Sequence, residues 1–203
     1  CGSEGQMGII TEATVKLLAK PEGAKPVLFG FDSPEDAGQC VKDVIGAGII
    51  PVAIEYMDKP AIEICEAFAN AGYPMDVEAL LIVEVEGSEA EMDAMLAKII
   101  DVAKKHNVKT VKESQSAFEA ALIWKGRKSA FGATGRIADY MCMDGTVPLS
   151  QLAFVLEGTA KIIEKYGLRV ANVFHVGDGN MHPLILFNMN DPEESIKAEQ
   201  MIC

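Results

Sequence analysis

Several things are scarce in this 203-residue chain, and each scarcity removes a class of function. Basic residues are few: 18 Lys and Arg stand against 30 Asp and Glu, a net charge of −12. Phosphate backbones and anionic lipid surfaces are bound by clustered Lys and Arg, so neither nucleic acid nor a charged membrane face is an expected partner. A small anionic substrate is not excluded, because it needs only one or two local cations. Long apolar runs are also missing. The most apolar stretches, residues 48–54 and 79–83, fall far short of the roughly 20 residues that a membrane-spanning helix needs. The five cysteines, Cys1, Cys40, Cys65, Cys142 and Cys203, form no Cys-x-x-Cys pair. A four-cysteine zinc or iron–sulfur site is therefore not expected. A reduced, cytoplasmic setting fits them best, with most acting as small buried hydrophobes. There is no Walker loop, no Gly-x-Ser-x-Gly, no His-Glu-x-x-His, and no Gly-x-Gly-x-x-Gly opening a helix after a strand. No initiator Met and no signal peptide are visible. The chain reads as truncated at both ends.

What is present is an ordinary globular composition, 49% apolar and 24% charged. Three glycines in the first eight residues lead into a β-type run over residues 9–18, which reads as the last strand of a preceding domain. Residues 21–26 read as a linker. From there strands and helices alternate, with strands expected over 27–31, 49–57, 79–85 and 108–111. Helices are expected after Asp32-Ser33-Pro34, from Lys59, over residues 88–106, and after Ser114 or Ser116. This double β-α-β order predicts an α+β fold of ferredoxin-like type, an antiparallel sheet with helices packed mainly on one face. Residues 129–147 read as a long irregular excursion, whose Met, Tyr and Ile content argues against disorder. A helix over 151–166 and a final helix from Asp191 complete the chain.

The stretch with the strongest local signal is Asn172-Val-Phe-His-Val-Gly-Asp-Gly-Asn-Met-His-Pro-Leu-Ile-Leu-Phe187. Asp-Gly between apolar runs predicts a hairpin. With Asp178 and Gly179 as turn residues, His175 faces His182, their Cβ atoms about 4.5–5.5 Å apart on one side of the ladder. Two imidazoles so placed can bind one divalent metal or two donors of an anionic ligand. They can equally be two polar residues at a strand end. A metal site would need a further ligand and a second shell. Asn180 can hydrogen-bond a substrate carboxylate or hydroxyl. Arg127 and Arg136 offer planar forks for a carboxylate, although most arginines are solvated. Tyr140 can place a hydroxyl near a substrate or be a half-buried aromatic. His106 reads as a helix-end residue.

Four strings carry a family resemblance. Gly2-Ser-Glu-Gly-Gln-Met-Gly-Ile-Ile-Thr11 resembles the closing motif of the FAD-binding domain in the vanillyl-alcohol-oxidase/p-cresol-methylhydroxylase flavoprotein superfamily. Trp124-Lys-Gly-Arg-Lys128, Tyr140-Met-Cys-Met-Asp-Gly-Thr-Val-Pro148 and Phe174-His-Val-Gly-Asp-Gly-Asn-Met-His-Pro183 resemble the C-terminal cap domain of its 2-hydroxyacid branch, the glycolate oxidase FAD-linked subunit and D-lactate dehydrogenase family. The resemblance implies an oxidoreductase that passes hydride from glycolate or D-lactate to FAD, with other oxidase subunits and an electron acceptor as partners. It implies a tail of the FAD domain over residues 1–20, with Gly2, Ser3, Gly5, Gly8 and Ile9 against the cofactor, and the cap over residues 26–203. It assigns catalytic and metal-ligand roles, usually to zinc, to His175 and His182. It assigns substrate contacts to Arg127, Asn180 and Tyr140. In the family a Gly-Glu-His-Gly segment beyond the last helix supplies a third metal ligand and a candidate base. This sequence stops before it, so the chain alone is expected to be inactive and to hold neither FAD nor metal stably. The expected location is the cytoplasm, or the inner face of the membrane as a peripheral protein. The competing reading is a non-catalytic ferredoxin-like module that senses a ligand or dimerises.

Overall fold

The computed structural model describes Gly2, Ser3 and residues 5–202. The first strands and helices follow from strong local signals. Strand β1 (Gly23–Phe31) leads through Ser33 into α1 (Pro34–Gly46). Strand β2 (Ala53–Asp58) runs directly into α2 (Lys59–Ala69), and β3 (Ala79–Gly87) into α3 (Glu89–Lys105). After β4 (Thr110–Glu113) comes α4 (Ala117–Lys128). Ser33, Asp58, Ser88 and Ser116 cap these four helices, each side chain accepting the backbone N–H three residues on. Ser88 and Glu91 complete a reciprocal capping box. Asn70 ends α2 in the left-handed region, at φ 49°.

Strands β1 to β4 lie in the order β4-β1-β3-β2, every neighbouring pair antiparallel, with α1 and α3 as the crossovers. That is the ferredoxin-like arrangement expected from the sequence. The helices, expected mainly on one face, divide between the two. Alternate residues of the strands (Val27, Phe29, Tyr56, Leu81, Val83) pack against α1, α3 and the later α6 (Leu152–Tyr166). The intervening residues (Leu28, Met57, Leu80, Ile82) pack against α2, α4 and the short α5 (Ala130–Thr134). Period-two alternation puts apolar residues on both sides here because both sides are covered.

Other expectations change as well. The linker over residues 21–26 is mostly strand: β1 begins at Gly23, and Gly23 to Pro26 pair with Gly87 to Glu84. Pro26 stands one residue beyond the end of the β1–β4 ladder, where a missing N–H costs no bond to β4. The excursion over residues 129–147 is more regular than expected. It forms α5, then β5 (Asp139–Cys142) and β6 (Gly145–Thr146). Its short elements show no periodicity long enough to read in sequence.

Beyond α6, which Gly167 ends at φ 67°, β7 (Arg169–Phe174), β8 (Asn180–Met181) and β9 (Pro183–Phe187) follow. Helix α7 (Pro192–Ile202) closes the described chain. β7, β9 and β5 extend the sheet from β2 to seven strands, and β6 pairs with β8 in a separate two-stranded ribbon. Residues 9–18, read as a strand, are extended chain without a ladder partner; Ile9 is 88% and Leu18 87% exposed. A strand needs a neighbour to bond to, and none of the described hydrogen bonds ties residues 5–20 to the rest of the fold. Cys40 and Cys65 are buried and free, and burial pushes both thiols up to about 12, in keeping with inert core cysteines. Cys142 is exposed, and Cys1 and Cys203 lie outside the described residues.

Candidate functional site

The hairpin between β7 and β9 forms, with a register two residues from the simplest one. Asn172 pairs with Pro183, and His175 bridges to Asn180 rather than to His182. The turn is Val176 to Gly179, closed by the N–H groups of Asp178 and Asn180, both bonded to the His175 carbonyl. A two-residue slip preserves the face on which a side chain lies, whereas a one-residue slip would reverse it. The two histidines therefore still meet, as diagonal neighbours, with ring centroids 5.2 Å apart and planes at 88°.

Gly179 decides the register. Its φ is +71°, and an added Cβ would stand 2.1 Å from the Val147 carbonyl oxygen. The Val147 N–H donates to the Gly179 carbonyl at 2.9 Å. With the β6–β8 pairs Gly145↔Met181 and Thr146↔Asn180, this straps residues 144–147 over the turn. The Asn180 side-chain amide donates to Asp144 Oδ1 at 2.8 Å. Its NH₂ is thus engaged by the strap, and its carbonyl oxygen is the group left for a ligand.

Beneath the hairpin lies a residue that the sequence reading missed. β2 pairs with β7 through Tyr56↔Phe174 and Met57↔Val173, which places Glu55 beside His175. His175 Nδ1 is 2.9 Å from Glu55 Oε1 and 2.8 Å from Oε2. Arg127, 5% exposed, donates from Nη2 to Glu55 Oε2 at 2.7 Å. A lone Glu in the apolar run Ala53-Ile-Glu-Tyr-Met57 was the available signal, since an acid at a buried strand position needs a partner. Asp144 was missed as well; its Oδ1 lies 3.7 Å from His182 Nδ1. Both imidazoles thus turn Nδ1 toward a carboxylate.

Arg127 is held by its helix. Gly126 lets α4 approach so closely that a Cβ there would lie 2.5 Å from the Tyr73 hydroxyl, which donates to the Ile123 carbonyl. The Trp124 indole N–H donates to Glu84 on β3 at 2.8 Å. Arg127 Nε is buried without a hydrogen-bond partner, so the guanidinium keeps donor capacity beyond the bond to Glu55. Tyr140 is half-buried on β5, its ring 6.3 Å from Phe131, which in turn meets His182 edge-on at 6.3 Å. Arg136 lies elsewhere, over the Phe68 ring. His106 ends α3 and bonds Asp43, as its helix-end reading expects.

A small cavity of about 110 Å³, lined by Ile54, Glu55, His175, Gly177 and Asp178 among others, opens beside the cluster. Two imidazoles with carboxylates behind them suit two ligands of a divalent metal. Among the described residues no group of three or more His, Cys, Asp or Glu could complete a metal site. Gly2, Ser3, Gly5, Gly8 and Ile9 lie apart from the cluster. Gly2, Gly5 and Gly8 have positive φ and nothing within 4 Å of an added Cβ, so their backbone is open to close approach, yet they form no cradle.

The family described as "FAD linked oxidases, C-terminal domain" matches residues 20–202. The chain belongs to this family. Over 201 residues it is 50% identical to the glycolate oxidase subunit GlcD of Escherichia coli (strain K12), covering 98% of this chain and 40% of that protein. Over 200 residues it is 34% identical to the glycolate oxidase subunit GlcD of Bacillus subtilis (strain 168), covering 98% and 43%. It is 28% identical to a probable mitochondrial D-lactate dehydrogenase of Danio rerio, covering 95% and 39%. The chain thus spans about 40% of the length of these curated relatives. Among solved structures, the fold is shared with an alkyldihydroxyacetonephosphate synthase at TM-score 0.69 and 16% identity, covering 98% of this chain and 43% of that one. It is shared with a substrate-bound p-cresol methylhydroxylase at TM-score 0.65 and 16% identity, covering 90% and 42%. Among the described residues, no helix of this FAD-linked oxidase domain is long and apolar enough to cross a membrane.

Proposed function

We propose that this chain is the substrate-binding cap of an FAD-dependent oxidoreductase that converts a small D-2-hydroxy acid, glycolate or D-lactate, to the 2-oxo acid. The observation that carries the reading is the convergence of Arg127 from α4, Glu55 from β2, His175 just beyond β7 and His182 just before β9. The family is FAD-linked, and the glycolate oxidase and D-lactate dehydrogenase names of the relatives point to the substrate class.

Arg127 takes the substrate carboxylate. It is a fixed cation with a free donor at Nε, and the ionic bond to Glu55 keeps its fork from swinging away. His175 and His182 stand at the α-hydroxyl, one of them accepting its hydrogen bond, and orient the α-carbon. Asn180 offers its side-chain oxygen, and Tyr140 with Phe131 walls the site. Bound FAD supplies the hydride acceptor, and Gly2, Ser3, Gly5, Gly8 and Ile9 form part of its border. Where a divalent metal is present, His175 and His182 supply two of its ligands, the rest coming from beyond the described residues, and the ion adds Lewis-acid polarisation of the hydroxyl. Residues 1–20 then form the tail of the FAD-binding domain and residues 26–203 the cap. Other oxidase subunits and an electron acceptor are the expected partners of the whole protein.

The test uses the longest natural polypeptide that carries this chain. It is expected to be yellow with flavin absorbance and to oxidise glycolate or D-lactate. His182→Ala in it should lower turnover by at least tenfold while flavin stays bound. A colourless protein, or unchanged turnover in the variant, rejects the reading. The 203-residue chain by itself should show no turnover with either acid.

A further inference from the structure

We propose that Glu55 is a positioning residue that locks Arg127 and His175 into one hydrogen-bonded line and fixes the angle at which Nε2 of His175 faces the substrate site. The inference deepens the proposed function and rests on it for the identity of the substrate.

Glu55 is 8% exposed, between Ile54 and Tyr56 on β2. An ionised carboxylate there is costly unless it is fully paired, and it is paired twice. Oε2 accepts from Arg127 Nη2 at 2.7 Å. Both oxygens also lie within 2.9 Å of His175 Nδ1. A carboxylate held by arginine can only accept, so Nδ1 carries the hydrogen. In a neutral imidazole the other nitrogen, Nε2, is then an acceptor with a free lone pair. The His175 ring is half-exposed, with 48% of its side-chain surface open, whereas Glu55 and Arg127 beneath it are covered. One buried acid therefore sets both the tautomer of the exposed ring and the angle of the buried fork.

A charged carboxylate gives each donor an oxygen of its own. Glutamine has the same length but no charge and one accepting oxygen, so the ionic bond to Arg127 is lost and its NH₂ turns toward a group that can only donate. Aspartate keeps the charge but is shorter by a methylene, so it preserves the chemistry at a cost in reach.

The first measurement needs no turnover. The chain has only three histidines, so ¹⁵N-imidazole spectra with EDTA present can be assigned with His175→Ala. The expected result is hydrogen on Nδ1 of His175 in the wild type and loss of that single tautomer in Glu55→Gln. Hydrogen on Nε2 in the wild type overturns the proposal whether or not the variant folds. The second measurement uses the flavin-loaded polypeptide. Glu55→Gln is expected to lower kcat/KM for the hydroxy acid by about 10–100-fold. KM should rise through Arg127 and kcat should fall through His175, at unchanged flavin content, and Glu55→Asp should recover part of both. Unchanged kcat/KM in Glu55→Gln, or an Asp variant no better than Gln, overturns it. A wild type that oxidises no 2-hydroxy acid rejects the proposed activity, while the tautomer spectrum still decides the Glu55–His175 link.

Discussion

The two halves of the sheet are built differently. In the β4-β1-β3-β2 half, β1 and β3 are nine residues each and pair along their whole length. Helices α1 to α4 packed on it all have side-chain caps. In the β7-β9-β5 half the strands are six, five and four residues long. The regular half supplies Glu55 and supports Arg127; the irregular half supplies His175, His182, Asn180 and Tyr140. The candidate site is thus made at the seam. Precision at a site depends on rigid support for the groups that touch the ligand, and here the anchors come from the better-supported half.

The β2–β7 ladder at that seam has only two registered pairs. Side chains reinforce it. Tyr56 and Phe174 stack across it with centroids 5.5 Å apart, Asp58 binds the Asn172 backbone N–H and side-chain amide, and Glu55 binds His175. The largest expected effect therefore follows from taking the arginine away from Glu55. Arg127→Met fills similar space but leaves the buried carboxylate with His175 as its one remaining partner, at a cost of about 3–5 kcal/mol. Urea unfolding of the two chains measures it. A loss below about 1 kcal/mol would mean that Glu55 reaches water and that the seam is not the closed junction described above.

The second effect is one of pH. Burial pushes the Asp58 carboxyl up to about 7 from 3.8, against the opposing hydrogen bonds from Ala61 and Asn172. A carboxyl raised in the folded state binds a proton there while the unfolded chain has already released its own. Its contribution to stability is therefore complete below about pH 4 and is lost as pH rises through about 7. Asp58→Asn removes that titration while keeping a side chain able to cap α2. The stability difference, wild type minus variant, should fall between pH 4 and 7, by at most about 1.4 kcal/mol per pH unit, and be flat above. A difference that is level throughout, or that rises, would show a carboxyl ionising as freely in the fold as out of it.

The same contrast explains what the sequence disclosed. The regular half was legible: capped helix starts, the αL residue Asn70 and the alternating strands all rest on neighbours within a few residues. The family strings pointed to Arg127, His175 and His182, which the fold brings together around Glu55. The hairpin was foreseen from Asp178-Gly179, yet its register was not, because Val147, which occupies the space beside Gly179, is 32 positions away in the chain. Glu55 and Asp144 were missed for a related reason. Each acts through a partner that only the β2–β7 ladder or the β6–β8 ribbon brings near. The paired order of residues 129–147 was hidden because short strands on a sheet edge draw their stability from the strand beside them, not from their own pattern.

The smallest global effect should come from Gly179→Ala, and its localisation is what tests the comparison. The residue sits at φ +71°, and the methyl would stand 2.1 Å from the Val147 carbonyl oxygen, backbone against backbone, so no rotamer relieves it. The turn must open or the strap over residues 144–147 must lift. Both lie in the short-stranded half, away from the nine-pair β1–β3 ladder. We expect about 2 kcal/mol of destabilisation. Hydrogen exchange should accelerate at the N–H groups of Val147, Asp178 and Asn180 while protection along β1 and β3 is kept. Turnover in the flavin-bearing protein should fall more than stability does, because His175 and His182 meet only while the turn holds its register. If exchange rose equally in β1 and β3, the two halves would be one cooperative unit, and the irregular half could not be adjusted for substrate without disturbing the scaffold.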